Sequence, residues 1–242
     1  NETADKILIK YLCANNPLEQ LGIYSACYKL SIFMILFIQS FRLAAEPLFF
    51  NYQSKLDAKK IYAQLMKVFV IIAMFLFLII TLNLDYLKFF ISNQSYHEGL
   101  HIVPIILLAH ICLGIYYNLS LWYKLTNQTK YGAIISLLGC CITLFINIMF
   151  MPIYGYVTAA WATLFCYMIM MLVSYFLGKR KYPIPYELRP IVSYIVFALI
   201  IYFIKYNFDL SGIISTTILV SIYIISILYI EGWYKKIKLI IK

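Results

Sequence analysis

Charge is what this sequence has least of: 12% of its residues are Asp, Glu, Lys or Arg, against 64% hydrophobic. A chain so poor in charge has no segment able to cover a water-facing domain. No stretch alternates polar and apolar residues at the short period of an outer-membrane barrel strand, so β-barrel insertion is excluded. P-loop and Rossmann fingerprints are missing, and with them any motif for hydrolysing ATP or carrying a redox cofactor. The six cysteines (Cys13, Cys27, Cys112, Cys140, Cys141, Cys166) show neither CxxC nor Cys/His ligand spacing and read as small hydrophobes inside apolar runs. No soluble segment is long enough to gather basic residues and exposed aromatics on one surface, which sets nucleic acid aside despite a formal net charge of +10.

What is present is a series of apolar stretches of about 20 residues, the length that crosses ~30 Å of hydrocarbon. They run over Ile23 to Phe50, Leu65 to Leu84, Leu100 to Trp122, Tyr131 to Met151, Val157 to Leu177, Ile191 to Phe208 and Ser211 to Ile230. Lipid offers no partner to a free peptide group, so these spans are helices and the class is all-α, a polytopic helical membrane protein. Thr3 to Leu12 reads as the outer end of a further span whose beginning is missing.

Lys and Arg gather in every second gap. Lys55, Lys59, Lys60 and Lys67 follow the first span, Lys124 and Lys130 the third, Lys179, Arg180, Lys181 and Arg189 the fifth, and Lys235, Lys236, Lys238 and Lys242 the last. The positive-inside rule puts these loops and the C-terminus in the cytoplasm. It puts Asn1 to Leu21, Asp85 to Gly99, Pro152 to Tyr156 and Asn207 to Leu210 outside. The excess positive charge then serves orientation and anionic headgroups. Tyrosines near span ends, such as Tyr116, Tyr117, Tyr154 and Tyr156, read as interfacial anchors.

Polar groups within spans are the functional candidates, because ionisable residues are costly there. The first span holds Lys29, Arg42 and Glu46, and Pro47 disturbs the backbone just beyond. Arg42 and Glu46 share a helical face, where they either pair and fix packing or face a cavity. Lys29 either snorkels to the interface or faces the same cavity. His110 lies mid-span, as a proton relay or a helix-to-helix hydrogen bond. Asn118 joins a second helix or a sugar. Met151 to Tyr156 reads as a tight turn, and Tyr182-Pro183-Ile184-Pro185-Tyr186 as a linker that sets the last two helices apart.

Several segments resemble a known family. They are Leu21 to Leu30, Phe41-Arg42-Leu43-Ala44-Ala45-Glu46-Pro47, Gly114 to Leu125, Thr129 to Ala133 through Asn147, Pro152-Ile153-Tyr154-Gly155-Tyr156 with Ala159 to Thr163, and Tyr182 to Tyr186. They are similar to the lipid-linked oligosaccharide flippases of the multidrug/oligosaccharidyl-lipid/polysaccharide exporter superfamily, over nearly the whole chain.

The resemblance implies two helical lobes around a cavity that opens alternately to each side, followed by a helix pair. On that plan residues 1–178 are the C-terminal lobe, 179–190 a cytoplasmic linker and 191–242 the terminal pair with its basic tail. The implied substrate is an undecaprenyl-diphosphate-linked oligosaccharide of O-antigen or capsule type. It is flipped to the periplasmic leaflet of the bacterial inner membrane for surface polysaccharide and lipopolysaccharide synthesis, beside the polymerase machinery. Lys29 falls where related flippases carry an arginine for the diphosphate, and Lys gives up bidentate recognition. Arg42 is a second cavity cation, Glu46 either orients it or responds to a coupling ion, and Asn118 and His110 line the path. No cofactor and no enzymatic activity are implied, and the energy comes from coupling to H+ or Na+, from the membrane potential or from the substrate gradient. Two alternatives stay open: a drug or cation antiporter of the same superfamily, and a polytopic membrane glycosyltransferase or polymerase.

Overall fold

The computed structural model describes residues 2–232, apart from 54, 56, 92 and 209–211. The basic tail (Lys235, Lys236, Lys238, Lys242), the start of the last span at Ser211 and part of the 207–210 loop lie outside the described residues. Within them every regular element is helical: α1 (Glu2–Leu12), α2 (Pro17–Leu30), α3 (Ile32–Tyr52), α4 (Ala58–Leu82), α5 (Leu84–Leu87), α6 (Val103–Leu119), α7 (Leu121–Leu125), α8 (Lys130–Tyr154), α9 (Tyr156–Lys181), α10 (Leu188–Phe208) and α11 (Ile213–Ile230). Short 3-10 turns, Lys88–Phe90 and Gln94–Ile102, connect α5 to α6. Among the described residues seven helical segments are long and apolar enough to cross a membrane, as a polytopic protein requires.

The first span differs from its expectation over Ile23 to Phe50. The chain delivers two helices there, α2 and α3, which meet at Ser31. Its Oγ donates to the Tyr28 carbonyl at 2.7 Å, and its N–H bonds the same carbonyl at 3.0 Å. A serine that takes a carbonyl one turn back competes with the helical ladder and bends it. Asn16, in the left-handed region at φ 43°, and Pro17 at the first helical position start α2. The membrane-length part of this region is thus Ile32–Tyr52, and Lys29 stands in the last turn of the helix before it.

The turn read at Met151 to Tyr156 is tighter than expected. Helix α8 runs through Pro152 to Tyr154, and Gly155 alone reverses the chain at φ 61°. A Cβ there would come within 2.2 Å of Gln20 Oε1, the oxygen that accepts from the Tyr156 N–H at 3.0 Å. The α8–α9 hairpin is thereby fastened to α2.

Helix α9 packs along both α6 and α8, and its buried face is built of small residues: Ala159, Ala160, Ala162, Thr163, Cys166, Ser174 and Gly178. Small side chains let backbones approach where lipid gives helices no hydrophobic reason to associate. On the other flank Phe69 of α4 lies over Gly114 of α6, where an added Cβ would stand 2.1 Å from its ring. Outward faces stay apolar, with Leu137, Phe145, Ile214 and Ile225 all exposed, a surface suited to acyl chains and not to water. The cysteines divide: Cys13, Cys27 and Cys166 are buried as expected, whereas Cys140 and Cys141 are exposed on α8.

The Pro-containing stretch after α9 has no regular structure, and the α10/α11 pair beyond it docks on α4. At the basic end of the bundle Lys67 of α4 meets Glu187 at 3.0 Å and Glu231 at 2.9 Å, and Tyr194 of α10 donates to Glu231. At the opposite end Lys205 of α10 reaches the Leu82 carbonyl and lies 3.7 Å from Asp85.

Candidate functional site

The residues singled out from sequence fall into three places. Arg42 and Glu46 project from α3 toward Tyr117 and Asn118 of α6, around one narrow cleft. Arg42 and Glu46 do not pair with each other. The Arg42 guanidinium lies 5.0 Å from the centre of the Tyr117 ring, a cation–π distance, and Glu46 binds Lys124, which arrives from α7. An acid C-terminal to its base is the weaker order for a four-residue helical pair, and Lys124 supplies a better-placed cation. Asn118 turns inward on its own helix and donates to the Gly114 carbonyl at 3.0 Å.

Lys29 stands apart from this cleft. Its exposed side chain lines a recess of about 530 Å³ between the α2–α3 junction and the segment after α4, with Phe33, Phe90, Asn93 and Tyr96. Among the described residues no carboxylate pairs with it.

His110 occupies a third place, in the bundle interior at 2% exposure. Its Nε2 is 3.1 Å from the Tyr28 hydroxyl, and the two rings meet edge to face at 81°. Its Nδ1 has no hydrogen-bond partner.

A fourth group was not singled out from sequence. Asp5 of α1 is fully buried. Its Oδ2 accepts from Thr163 Oγ1 at 2.8 Å and from Tyr24 Oη at 3.2 Å, and its Oδ1 accepts from Asn147 Nδ2 at 3.0 Å. Helices α9, α2 and α8 thus each send one neutral donor to a single carboxyl, and no Lys or Arg pairs with it among the described residues. The Asn147 Oδ1 and, one turn away on α8, Thr143 Oγ1 are buried without partners. A negative charge in such a place is not offset by hydrogen bonds alone, so the cluster is suited to taking up a positive charge.

The signal for this cluster was in the spacing. Ile135, Gly139, Thr143, Asn147 and Met151 recur every fourth residue and are the buried face of α8. Asp5 and Ile9 have the same interval and are the buried residues of α1. Reading Thr3 to Leu12 only as a span's end passed over the acid it holds.

No group of three or more His, Cys, Asp or Glu that could hold a metal ion occurs among the described residues. Comparison with known proteins gives no match to a family model, to a curated protein or to a solved structure.

Proposed function

We propose that this chain belongs to an ion-coupled membrane transporter of the lipid-linked oligosaccharide flippase kind, which moves an undecaprenyl-diphosphate-linked repeat unit across a bacterial inner membrane. The observation that carries the transport reading is the buried carboxyl of Asp5, held by Tyr24, Asn147 and Thr163 from three different helices. Gain or loss of one positive charge at that carboxyl changes its bonds to all three helices together. That is what coupling an ion to helix movement requires.

The substrate side of the proposal rests on the family resemblance and on charge. Lys29 in its open recess at the α2–α3 junction and Arg42 on Tyr117, midway along α3, are cations in two separate places, as an anionic diphosphate handed from one station to the next would need. Glu46 and Lys124 hold each other beside Arg42 and keep that end of the cleft from carrying two free cations. The basic loops face the cytoplasm by the positive-inside rule, which puts the C-terminus there too. The antiporter alternative draws support from Asp5, which lies apart from the Arg42 cleft; in that cleft Glu46 is already paired with Lys124.

Deleting the gene in its host and analysing lipid-linked intermediates tests the proposal. The flippase reading expects complete repeat units to accumulate on the cytoplasmic leaflet, with surface polysaccharide lost. Truncated units would make the protein a transferase, translocated but unpolymerised units a polymerase, and an unchanged profile with lost drug resistance an antiporter.

A further inference from the structure

Lys29 ends α2 with an exposed side chain, and among the described residues no Asp or Glu lines the recess of about 530 Å³ that it shares with the segment after α4. That segment is held in place. The His97 Nε2–H donates to the Ile91 carbonyl at 3.2 Å, and Asn93 Oδ1 accepts from the N–H and the Oγ of Ser95 at 3.1 and 2.9 Å. With its oxygen committed, Asn93 offers its amide N–H groups as donors. The Tyr96 hydroxyl packs on Gly22, where a Cβ would stand 2.5 Å from it, so this wall lies directly on α2. The rest of the lining is mostly apolar, with Leu30, Phe33, Leu87, Phe90 and Ile91. Phe33 and Phe90 are 61% and 81% exposed. The positive-inside rule sets the 85–99 segment, and the recess with it, at the outer end of the bundle.

We infer that this recess binds a phospholipid of the outer leaflet that carries one negative charge on a phosphodiester, such as phosphatidylglycerol. The phosphate lies on the Lys29 ammonium and accepts from Asn93, and the upper part of an acyl chain lies along Leu30, Phe33, Leu87 and Phe90. Charge selects the headgroup: one cation without a carboxylate partner in the recess matches one negative charge, and a zwitterionic lipid would bring an ammonium to a site with no acid to receive it. Size and lining select a lipid over a bare ion, since sites of about 300–1,000 Å³ enclose ligands far larger than one phosphate. They also disfavour a sugar, whose hydroxyls would face Leu30, Leu87 and Ile91 without partners. The site goes beyond the flippase reading and does not rest on it. A substrate diphosphate arriving at Lys29 would displace a group of its own chemistry.

The test uses the full chain in phosphatidylcholine vesicles doped with a photoreactive lipid, either phosphatidylglycerol or phosphatidylcholine, with a diazirine near the ester end of one acyl chain. After illumination, peptide mass spectrometry reads the labelling of residues 26–33 and 87–96, and labelling of the exposed face of α8 serves as the internal standard. Phosphatidylglycerol should label the recess about fivefold more than phosphatidylcholine, the worth of one Lys beside an anionic headgroup. Lys29→Gln and Asn93→Asp should each bring that ratio down toward one, and Lys29→Arg should keep it, with the α8 standard unchanged in all three. Equal labelling by the two lipids in the unmodified protein overturns the proposal, as does a ratio that survives Lys29→Gln. Loss of the ratio on adding inorganic phosphate, but not chloride of the same ionic strength, overturns it too, because the site would then take a free anion. No oligosaccharide or prenyl lipid is present, so these outcomes stand or fall apart from the flippase reading.

Discussion

Lys67 Nζ lies 2.9 Å from Glu231 Oε2 and so joins α4 to the C-terminal end of α11, 164 residues on. The same ammonium meets Glu187 at the entry to α10, so one side chain closes both ends of the α10/α11 hairpin onto α4. Both partners of the 2.9 Å pair are mostly shielded, at 16% and 19% side-chain exposure. Lys67→Met leaves two carboxylates facing each other and is expected to lower stability by about 1.5–3 kcal/mol, the range for a hydrogen bond to a charged group. Protease cleavage in the 182–187 segment should rise in parallel, because the hairpin then loses the ion pairs that fasten its basic end to α4. Limited proteolysis in vesicles, with thermal unfolding alongside, reads both effects.

Gly155 carries the α8–α9 reversal at φ 61° against Gln20. Gly155→Ala forces a side chain into backbone that L-residues rarely adopt and into Gln20, so a loss of about 1–3 kcal/mol is expected. Gln20→Ala removes the contact without the backbone strain and should cost less. Equal losses would mean that the turn is not where the strain lies.

Glu46 is tied to Lys124 and Arg42 to Tyr117. Tyr117→Leu is expected to weaken substrate-dependent transport by about two- to fivefold, the worth of a cation–π contact near 0.5–1 kcal/mol, with expression unchanged. Glu46→Gln frees Lys124 and adds a cation to the cleft. The apparent affinity for an anionic lipid should then rise, and a fall in binding of a prenyl diphosphate would contradict the assignment.

Cys13 follows α1 in the connection to α2, and burial pushes its thiol above the ordinary value. A raised thiol holds less thiolate at neutral pH, and the thiolate is the nucleophile. Maleimide labelling of Cys13 should therefore be slower at pH 7 than that of a cysteine introduced in place of Lys130, and should climb steeply as pH rises. Equal rates at pH 7 would place Cys13 in water.

The helical class and the number of membrane-length segments could be read from the apolar runs, because lipid leaves the backbone no other way to satisfy its hydrogen bonds. Ser31 was not legible as a break: its neighbours are apolar on both sides, and only the carbonyl it captures distinguishes it from an ordinary small residue. The partners of Arg42 and Glu46 were also hidden, since Tyr117 and Lys124 are far along the chain and only the docking of α6 and α7 on α3 brings them near. Asp5 was legible through the four-residue spacing it shares with Ile9, and its importance comes from Asn147 and Thr163, distant in sequence and neighbours only in the bundle.

Asp5→Asn is the measurement that bears most directly on ion-coupled flipping, because the amide keeps the shape of the carboxyl and removes only its ability to take a charge. In host cells producing the variant at the unmodified level, transport of the lipid-linked repeat unit should fall at least about 100-fold, as expected for loss of a group that carries a proton-transfer step, with complete units building up on the cytoplasmic leaflet. Normal surface polysaccharide in those cells would contradict the account, since a transporter coupled through Asp5 cannot run without its charge.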